Sequence, residues 1–371
     1  PHPIEFCNNC GHVQTGIDVD QGFIYDNYIW KTSISPGLVE AYKDYAQEMI
    51  DKYPLSSSTY CLEIGGNDGT FSAHLKQHGA NTLVVDPAKD IAELCHDKGV
   101  DVIVDYFGPE TAQRISEQRG PANLIIANHV FANINDVQSI IDGVKVALDK
   151  NGVFVLQVFY LYDVVKGNLL ENFNHEHPSY YYVKSLSKFF ERNDLELFDV
   201  SRNEIKGGSI RCHVQRKSGP KPITSNVGEF IEREEKLGLD NIETYQSLRK
   251  HIDTTREQFK KILAELPKNS KVAAYGTSIG ATVFTYQYDI GKNIDFFLDD
   301  DPARHGLKTP GFCIPVYSSE QLDEKKPDYV IITAPLYADR IIAKHKNYLE
   351  QGGQFILFRP TFKVINSGSN I

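Results

Sequence analysis

The stretch Leu62-Glu63-Ile64-Gly65-Gly66-Asn67-Asp68-Gly69 decides the fold of this chain. An apolar segment ends at an acidic residue, a glycine-rich turn follows at once, and residues 70–75 then open a helix. Glycine has no Cβ, so such a turn can bend sharply and come close to a ligand. The pattern is typical of the strand–loop–helix unit that binds nucleosides at the carboxyl edge of an open α/β sheet.

A second acidic strand end follows about twenty residues later, at Asp86, where it is placed to bind ribose hydroxyls. The glycine spacing is not the G-x-G-x-x-G of dinucleotide sites. It resembles the E/D-x-G-x-x-x-G loop of S-adenosylmethionine-dependent methyltransferases, and the alternative is an ordinary turn between a strand and a helix. The resemblance implies that the glycines make room for the amino-acid end of this cofactor. The expected cofactor-binding residues are Glu63, Gly65, Gly66, Asn67, Asp68, Gly69, Asp86, Pro87, Asn128 and His129.

Strands and helices alternate over most of the chain, which predicts an α/β fold with mostly parallel sheets covered on both faces. A second strand–loop–helix begins near residue 271, so we expect two Rossmann-like open sheets in tandem. The expected strands are 59–64, 81–86, 101–104, 122–127, 151–159, 196–201, 209–215, 294–298, 328–333 and 354–358. The expected segments are an N-terminal zinc-knuckle arm (1–22), a methyltransferase domain (23–218), a helical linker (219–268) and a smaller nucleotide-fold domain (269–371).

The bulk composition narrows the class of protein. A chain of 371 residues can bury two cores. A net charge of −10 argues against nucleic acid or an anionic membrane as the partner. No apolar run reaches the roughly 18 residues of a membrane helix. The six cysteines are scattered apart from one pair, which fits a reducing cytoplasm. We therefore expect a cytoplasmic protein, as a monomer or small homo-oligomer.

Cys7 and Cys10 form that pair, in the sequence Cys-Asn-Asn-Cys-Gly-His. A C-x-x-C knuckle supplies half of the ligands of a structural zinc site. A second C-x-x-C is missing from the sequence, so His2 and His12 would have to complete a site here. Since the chain begins at Pro1 and not at methionine, we expect a first cysteine pair to lie upstream.

The segment Asn174-His175-Glu176-His177 carries the strongest catalytic candidates. It follows the strand at 151–159 and a short helix, so it should lie over the methyl group of the cofactor. A neutral imidazole accepts a proton at cellular pH, and the adjacent carboxylate can orient it or bind a hydroxyl. A His-x-His metal site and a purely structural loop are the alternatives.

A second glycine-containing loop, residues 276–280, has the sequence Gly-Thr-Ser-Ile-Gly and is similar to a phosphate-binding turn at a helix N-terminus. Asp299-Asp300-Asp301-Pro302 follows about twenty residues later, as in NAD sites. The G-x-S-x-G spacing argues against NAD. It also occurs at the nucleophile of α/β-hydrolases, but a suitable downstream histidine is missing.

Taken together, nearly the whole chain resembles the sugar C-methyltransferase family of deoxysugar pathways. The motifs that carry this resemblance are Cys7-x-x-Cys10-Gly11-His12-Val13-Gln14, the aromatic loop 23–30 with Ser33-x-Ser35-Pro36, Glu63 to Gly69, Glu176-His177, Lys206 to Arg211, Tyr275 to Ser278, and Asp299 to Pro302 with Gly306 and Pro310-Gly311. The resemblance implies an N-terminal zinc module, a methyltransferase domain that uses S-adenosylmethionine, and a C-terminal Rossmann-like domain. It also implies a nucleotide-diphosphate-linked keto-deoxysugar as substrate, lying in the cleft between the last two domains.

The family mechanism begins when a base removes the acidic proton next to the sugar ketone, and the enolate then takes the methyl group. By match to the motif, His177 is the base and Glu176 binds a hydroxyl. The catalytic candidates are His177, Glu176, Asn174, Tyr28 and Trp30. The expected substrate-binding residues are Lys206, Gly207, Arg211, Tyr275, Gly276, Thr277, Ser278 and Asp300.

Three positions depart from the family pattern. Asn174 and Trp30 stand where the family has tyrosines, and Asn133 stands where it commonly has a histidine. These changes leave an O- or N-methyltransferase as an alternative function. A catalytically silent nucleotide-sugar binding protein and an NAD-linked sugar oxidoreductase also remain open. Because only one cysteine pair is present, the implied zinc is not expected to bind this chain.

Overall fold

The computed structural model describes residues 3–26, 28, 30–53, 56–359 and 361–368. The chain forms two compact units: the first comprises Pro1–Asp163 and His175–Asn241, and the second Val164–Asn174 and Ile242–Ile371. Both are mixed α/β units with mostly parallel sheets, which confirms the predicted fold class. The helical stretch expected as a linker divides between the two units at Asn241.

The first unit is built on a large twisted sheet with a small additional one. Its strands over the described residues are β1 (Ile4–Phe6), β2 (Val13–Thr15), β3 (Tyr60–Ile64), β4 (Asn81–Asp86), β5 (Asp101–Val104), β6 (Ala122–Asn128), β7 (Leu148–Phe159), β8 (Ser179–Tyr180), β9 (Leu195–Asn203) and β10 (Ser209–Arg216). The large sheet has the order β5-β4-β3-β6-β7-β10-β9. The strands β3 to β7 are parallel, whereas β10 runs antiparallel to both of its neighbours.

The central strand β3 explains why the opening motif folds as it does. All five of its residues are buried, as expected for a parallel strand with helices on both faces. The helix α3 follows the loop and begins after Gly69, which has a φ of +70°. A left-handed residue at this point favours glycine.

Helices lie between most of the strands along the chain in both units. Over the described residues the first unit contains α1 (Gln21–Tyr25), α2 (Pro36–Lys52), α3 (Thr70–Gln77), α4 (Lys89–Asp97), α5 (Pro109–Arg119), α6 (Val137–Ala147), the start of α7 (Leu161–Lys166), α8 (Val183–Arg192) and α9 (Ser225–Leu237). The second unit contains α10 (Ile242–Glu265), α11 (Ile279–Gln287), α12 (Leu322–Lys325), α13 (Ala338–Lys344) and α14 (Lys346–Glu350). No helix among these is long and apolar enough to cross a membrane.

The second unit is built on one mostly parallel sheet of six strands, compared with seven in the large sheet of the first unit. Its strands over the described residues are β11 (Val272–Tyr275), β12 (Phe296–Asp299), β13 (Val316–Ser318), β14 (Tyr329–Ile332), β15 (Gln354–Leu357) and β16 (Lys363–Ile365). The order is β13-β12-β11-β14-β15-β16, and only the pairing of β16 with β15 is antiparallel among these strands. The sequence analysis missed β13 and β16, which are too short to show a periodic pattern.

The N-terminal arm belongs to the first unit as a small antiparallel sheet. β1 pairs with β2, and β2 pairs with β8 through Val13 opposite Tyr180 and Gln14 opposite Ser179. The arm is thereby attached to Ser179 and Tyr180, which follow Glu176 and His177 closely in the sequence. Sequence patterns did not predict these strands, because each has two or three residues.

Candidate active site

A cavity of about 400 Å³ lies in the first unit at the carboxyl ends of its central strands. Glu63 of β3, Asp86 of β4 and Asn128 of β6 line it. β3 lies between β4 and β6. The strands β4 and β5 are added on one side of β3, and the following strands, from β6 onward, are added on the other side. Open α/β sheets bind their ligands at this point of the topology, and the volume is within the ~300–1,000 Å³ of small-molecule sites.

Two glycines keep one wall of the cavity free of side chains. Gly65 has a φ of +61°, and a Cβ built there would lie 2.5 Å from Cγ2 of Val130. A Cβ on Gly66 would lie 2.9 Å from Cγ1 of Val84. Neither position therefore accepts a side chain without movement of its neighbours, and the backbone of the loop is left open to the cavity.

Asp86 holds the loop in position while it lines the cavity. Its Oδ2 accepts a hydrogen bond from the backbone N–H of Asn67 at 2.9 Å, and its Oδ1 accepts one from Ala88 at 3.0 Å. Burial raises the pKa of Asp86, and the two backbone donors oppose that rise. Since each carboxylate oxygen has two lone pairs, Asp86 can still accept from a ligand hydroxyl, as the sequence predicts.

Glu63 is buried at the base of the cavity. Its Oε2 accepts from the hydroxyl of Ser72 at 2.6 Å and its Oε1 from the side-chain amide of Asn128 at 3.3 Å. Burial raises the pKa of Glu63 to about 7, against the effect of these hydrogen bonds. A cationic ligand beside the carboxyl group would favour its ionised form.

Asp68 and Gly69 do not line the cavity, and their contact with the cofactor stays a prediction. Asp68 is fully buried; it accepts from the backbone N–H of Ser33 at 2.9 Å and pairs with Lys98 at 3.3 Å. Hydrogen bonds from Ser33 and Thr70, together with Lys98, outweigh burial and lower the pKa of Asp68. Its carboxylate therefore fastens the loop to the segment before α2.

Asn67 also connects the glycine loop to the segment before α2, and unlike Asp68 it lines the cavity. Its Oδ1 accepts from the backbone N–H of Thr32 at 2.9 Å, and its Nδ2 donates to the carbonyl of Trp30 at 3.0 Å. The side chain thus ties the aromatic segment to the glycine loop.

Glu176 and His177 line the same cavity as Glu63 and Asp86. The imidazole of His177 packs against Phe159 with ring centroids 4.8 Å apart. Burial raises the pKa of Glu176, while the charges of His175 and Lys206 act in the opposite direction. The structure therefore brings an imidazole and a carboxyl group together at the expected cofactor cavity.

Lys206 adds a cation to this end of the cavity. Its Nζ lies 5.2 Å from the ring centroid of Trp30 and 5.7 Å from that of Phe159. The side chain is exposed and lines the cavity. Desolvation by the surrounding protein lowers the pKa of its ammonium, and Glu176 opposes the change. Its backbone is left-handed, with a φ of +53°, and such strain in a residue other than glycine is common at functional sites. The neighbouring Gly207 does not line the cavity.

The aromatic segment supplies another wall. Tyr28 and Trp30, the two catalytic candidates of this loop, line the cavity, whereas Asn27 and Ile29 lie outside the described residues. Burial raises the pKa of Tyr28 well above its ordinary value, so its hydroxyl keeps its proton.

Sequence reasoning did not assign a role to three polar residues in this wall, Gln21, Tyr25 and Asn133. The amide of Asn133 donates to the hydroxyl of Tyr25 at 2.8 Å, and the amide of Gln21 donates to the carbonyl of Asn133 at 2.5 Å. The amino-acid sequence contains one sign of a role for this group, because Asn133 stands where the family commonly has a histidine.

Arg211, expected to bind substrate, is held by other side chains of the first unit, and substrate contact by it stays a prediction. It lies on β10, is 4% exposed and does not line the cavity. Its guanidinium donates to Oε1 of Gln157 from Nε at 3.2 Å and from Nη2 at 2.8 Å, and it pairs with Glu48. Because Arg211 lies on β10 inside the sheet, its side chain is beneath the cavity and not in the cavity wall.

The other predicted residues lie in the second unit. Asn174 is buried there, and its Nδ2 donates to the carbonyl of Glu171 at 3.1 Å. The hydroxyl of Tyr275 donates to Asp300 at 2.8 Å. Gly276 has a φ of +98°, and the backbone N–H of Thr277 donates to Asp299 at 2.7 Å. Ser278 precedes α11. Substrate contact by these residues remains a prediction.

The cysteine pair does not form a complete metal site within the described residues. Cys7 and Cys10 are free thiols, and no group of three metal-ligating side chains occurs in that part of the chain. His12 is engaged with the hydroxyl of Ser179 at 3.1 Å, and His2 lies outside the described residues. The donor set therefore does not fit the implied zinc.

The cavity does fit S-adenosylmethionine. Two buried amide oxygens in its wall, Oδ1 of Asn128 and Oδ1 of Asn133, have no hydrogen-bond partner among the described residues. Buried polar atoms are normally paired, so these indicate a polar ligand. Glu63, Gly65, Gly66, Asn67, Asp86 and Pro87 are the residues that would hold the cofactor.

Comparison with known proteins agrees with this geometry. Residues 38–200 match a family described as "Methyltransferase domain", and residues 204–360 match "C-methyltransferase C-terminal domain". The chain is 27% identical to the C-methyltransferase NovU of Streptomyces niveus over 373 residues, which cover 100% of this chain and 89% of that protein.

Solved methyltransferase structures resemble part of the chain. An S-adenosylmethionine-dependent methyltransferase from Clostridium acetobutylicum is 14% identical, covers 48% of this chain and 92% of its own, and has a TM-score of 0.39. The magnesium protoporphyrin IX methyltransferase from Synechocystis is also 14% identical and covers 49% and 84%, with a TM-score of 0.38. The fold assignment rests on the strand order and the two family matches. The chain thus matches a methyltransferase domain followed by a C-methyltransferase C-terminal domain, which together indicate an S-adenosylmethionine-dependent methyltransferase.

Proposed function

We propose that this C-methyltransferase acts on the carbon next to the ketone of a nucleotide-diphosphate-linked keto-deoxysugar. The observation that carries the proposal is the presence of Glu176, His177 and Lys206 in one cavity with Glu63 and Asp86. Carbon methylation needs a base for a C–H proton and a partner for the oxygen that becomes negative. The cavity contains both kinds of group.

His177 is the proposed base. Its imidazole takes the proton next to the ketone, and the C–H electron pair forms the enolate. S-Adenosylmethionine, when bound, supplies an electrophilic methyl group whose bonding pair to sulfur leaves with the sulfur as the new C–C bond forms. The ketone is restored and His177 later releases its proton to solvent. A positioned general base contributes typically about 10²–10⁴-fold to the rate.

Lys206 and Glu176 have complementary roles in this proposal. The Lys206 ammonium lines the cavity and offsets the charge that develops on the enolate oxygen. Glu176 accepts a hydroxyl of the sugar. The nucleotide portion remains assigned to the second unit through Tyr275, Gly276, Thr277, Ser278 and Asp300, on the strength of the motif resemblance.

The test separates proton removal from methyl transfer. Wild-type enzyme and His177→Asn are incubated in D₂O with nucleotide-linked 4-keto-deoxysugars, and mass spectrometry follows deuterium and methyl gain. We expect wild type to exchange the proton next to the ketone without cofactor and to add one methyl group with it. We expect His177→Asn to lose both by at least about 100-fold, with S-adenosylmethionine affinity unchanged. Exchange that persists in His177→Asn would remove His177 as the base, and methyl gain without exchange in wild type would favour an oxygen or nitrogen acceptor.

A further inference from the structure

A buried hydrogen-bonded chain beneath the cavity begins at Gln157 on β7, which is 0% exposed. Its Oε1 accepts from Nε of Arg211 at 3.2 Å, from Nη2 of Arg211 at 2.8 Å and from Nδ2 of Asn203 at 3.1 Å. Because a guanidinium only donates hydrogen bonds, the oxygen of Gln157 must face Arg211. The amide nitrogen of Gln157 must then face the other way.

That amide nitrogen lies 3.2 Å from Nε2 of His129. An amide nitrogen only donates, so Nε2 of His129 must be the acceptor and cannot carry a proton. The ring proton is therefore on Nδ1. Burial, with the charges of Lys206, His177 and Arg211, lowers the pKa of His129 well below its ordinary value, so the ring stays neutral. The arrangement fixes one tautomer, with Nδ1–H as a donor.

This donor has no partner among the described residues, although His129 is only 7% exposed and lines the cavity. A buried donor without a partner destabilises the protein. The backbone of His129 is also left-handed, with a φ of +54°, a conformation that is unfavourable for a residue with a Cβ. Two unfavourable features at one cavity residue suggest that a ligand group completes the site.

The neighbours of His129 indicate which ligand group that is. Phe159 contacts the rings of His129 and His177, with centroid distances of 5.3 Å and 4.8 Å, and Nζ of Lys206 lies 5.7 Å from the same ring. His129 is therefore at the end of the cavity that holds the proposed base and the cation. The group that needs a donor there is the oxygen of the acceptor ketone.

We propose that Nδ1–H of His129 donates a hydrogen bond to the acceptor carbonyl oxygen as it becomes the enolate oxygen, and that Gln157 and Arg211 are positioning residues that hold the required tautomer. This inference rests on the proposed function, since it assumes an enolate. It assigns His129 to the substrate and not to the cofactor, to which the sequence analysis assigned it.

Two substitutions at His129 form a matched pair. An asparagine amide occupies the place of Nδ1, whereas a glutamine amide occupies the place of Nε2. Asparagine also tolerates the left-handed backbone. We expect His129→Gln to lower kcat by about 100-fold, the effect of losing one such donor, and His129→Asn to recover most of that loss. The S-adenosylmethionine Kd should stay within about twofold in both.

A third variant tests the positioning role. Gln157→Glu keeps an acceptor for Arg211 and Asn203 but replaces the amide nitrogen by an oxygen, so Nε2 of His129 must donate and the tautomer reverses. Ring ¹⁵N NMR of the free enzyme should report the proton of His129 on Nδ1 in wild type and on Nε2 in Gln157→Glu, with a loss of kcat in the variant. A wild-type proton on Nε2 would overturn the proposal without any reference to activity.

The kinetic outcomes separate this inference from the proposed function. Suppose that the wild-type enzyme methylates carbon and that His129→Gln loses cofactor affinity at unchanged kcat. That result would overturn the role proposed for His129 and leave the proposed function standing. Equal loss of kcat in His129→Asn and His129→Gln would also overturn it, because only one of them removes the donor. A wild-type enzyme that methylates oxygen or nitrogen would overturn the proposed function and the enolate contact together.

Discussion

Substitution of Asp86 by asparagine tests the cofactor site most sharply, because the chain contains its own control. Asp86 accepts from the backbone N–H groups of Asn67 and Ala88 at 2.9 and 3.0 Å. In the second unit, Asp299 accepts from Thr277 and Asp301 at 2.7 and 2.9 Å. The two carboxylates thus hold equivalent loops, but only Asp86 lines the cavity.

An asparagine at either position keeps one acceptor oxygen and presents an NH₂ group to the second backbone donor. Each variant therefore loses at least one charge-assisted hydrogen bond, about 1.5–3 kcal/mol of folding stability in its own unit, and Asp299→Asn also loses its ion pair with Arg304. Asp86→Asn also loses the carboxylate that would accept from the ribose. A further 1.5–3 kcal/mol corresponds to roughly 10- to 150-fold weaker S-adenosylmethionine binding.

Isothermal titration calorimetry measures the cofactor affinity, and denaturant unfolding monitored by circular dichroism measures stability. We expect both variants to be destabilised, but only Asp86→Asn to lose affinity, with Asp299→Asn within about twofold of wild type. If Asp86→Asn binds S-adenosylmethionine as tightly as wild type, the ribose contact lies elsewhere. Equal loss of affinity in both variants would show that loop stability, and not ligand contact, sets the affinity.

Two further predictions follow from the same geometry. Gly65→Ala should weaken S-adenosylmethionine binding by at least about tenfold, because the new Cβ would lie 2.5 Å from Val130 and the φ at this position is +61°. Gly79→Ala is the control, since Gly79 also has a positive φ but has open space around the position of the Cβ. Equal affinities of the two variants in calorimetry would contradict the steric argument. Glu234 has a pKa raised by burial from 4.5 to about 7, so the folded protein retains a proton there that the unfolded chain loses, and its contribution to stability falls as the pH rises through that interval. Glu234→Gln should therefore reduce the decline in unfolding free energy between about pH 5 and pH 7; an unchanged pH slope in urea titrations would refute the assignment.

Local patterns predicted most strands of the two larger sheets and the glycine-rich turn after β3, because each of these features is encoded in a few adjacent residues. The apolar run of β3, the glycines after it and the acid at the end of β4 each occupy a few adjacent residues. Parallel strands align their carboxyl ends, so these local signals also predict which side chains meet at Glu63, Asp86 and Asn128.

The remaining features depend on contacts between distant parts of the chain. Arg211 has the charge and motif of a ligand-binding residue, yet Glu48, 163 positions earlier, and Gln157 hold it beneath the cavity. Asp68 looks like part of the cofactor loop but serves Ser33, 35 positions away. Sequence spacing cannot indicate such partners. The tautomer of His129 is equally hidden, since it follows from the orientation of one amide on β7.

The position of the transferred methyl group tests the central claim most directly. The enzyme is supplied with S-adenosylmethionine labelled with ¹³C in the methyl group and with a nucleotide-linked 4-keto-deoxysugar, and the product is analysed by ¹³C NMR. We predict a labelled methyl group bonded to the ring carbon next to the ketone, seen as a one-bond carbon–carbon correlation when the sugar is also labelled. A labelled methyl group bonded to oxygen or nitrogen would contradict the account.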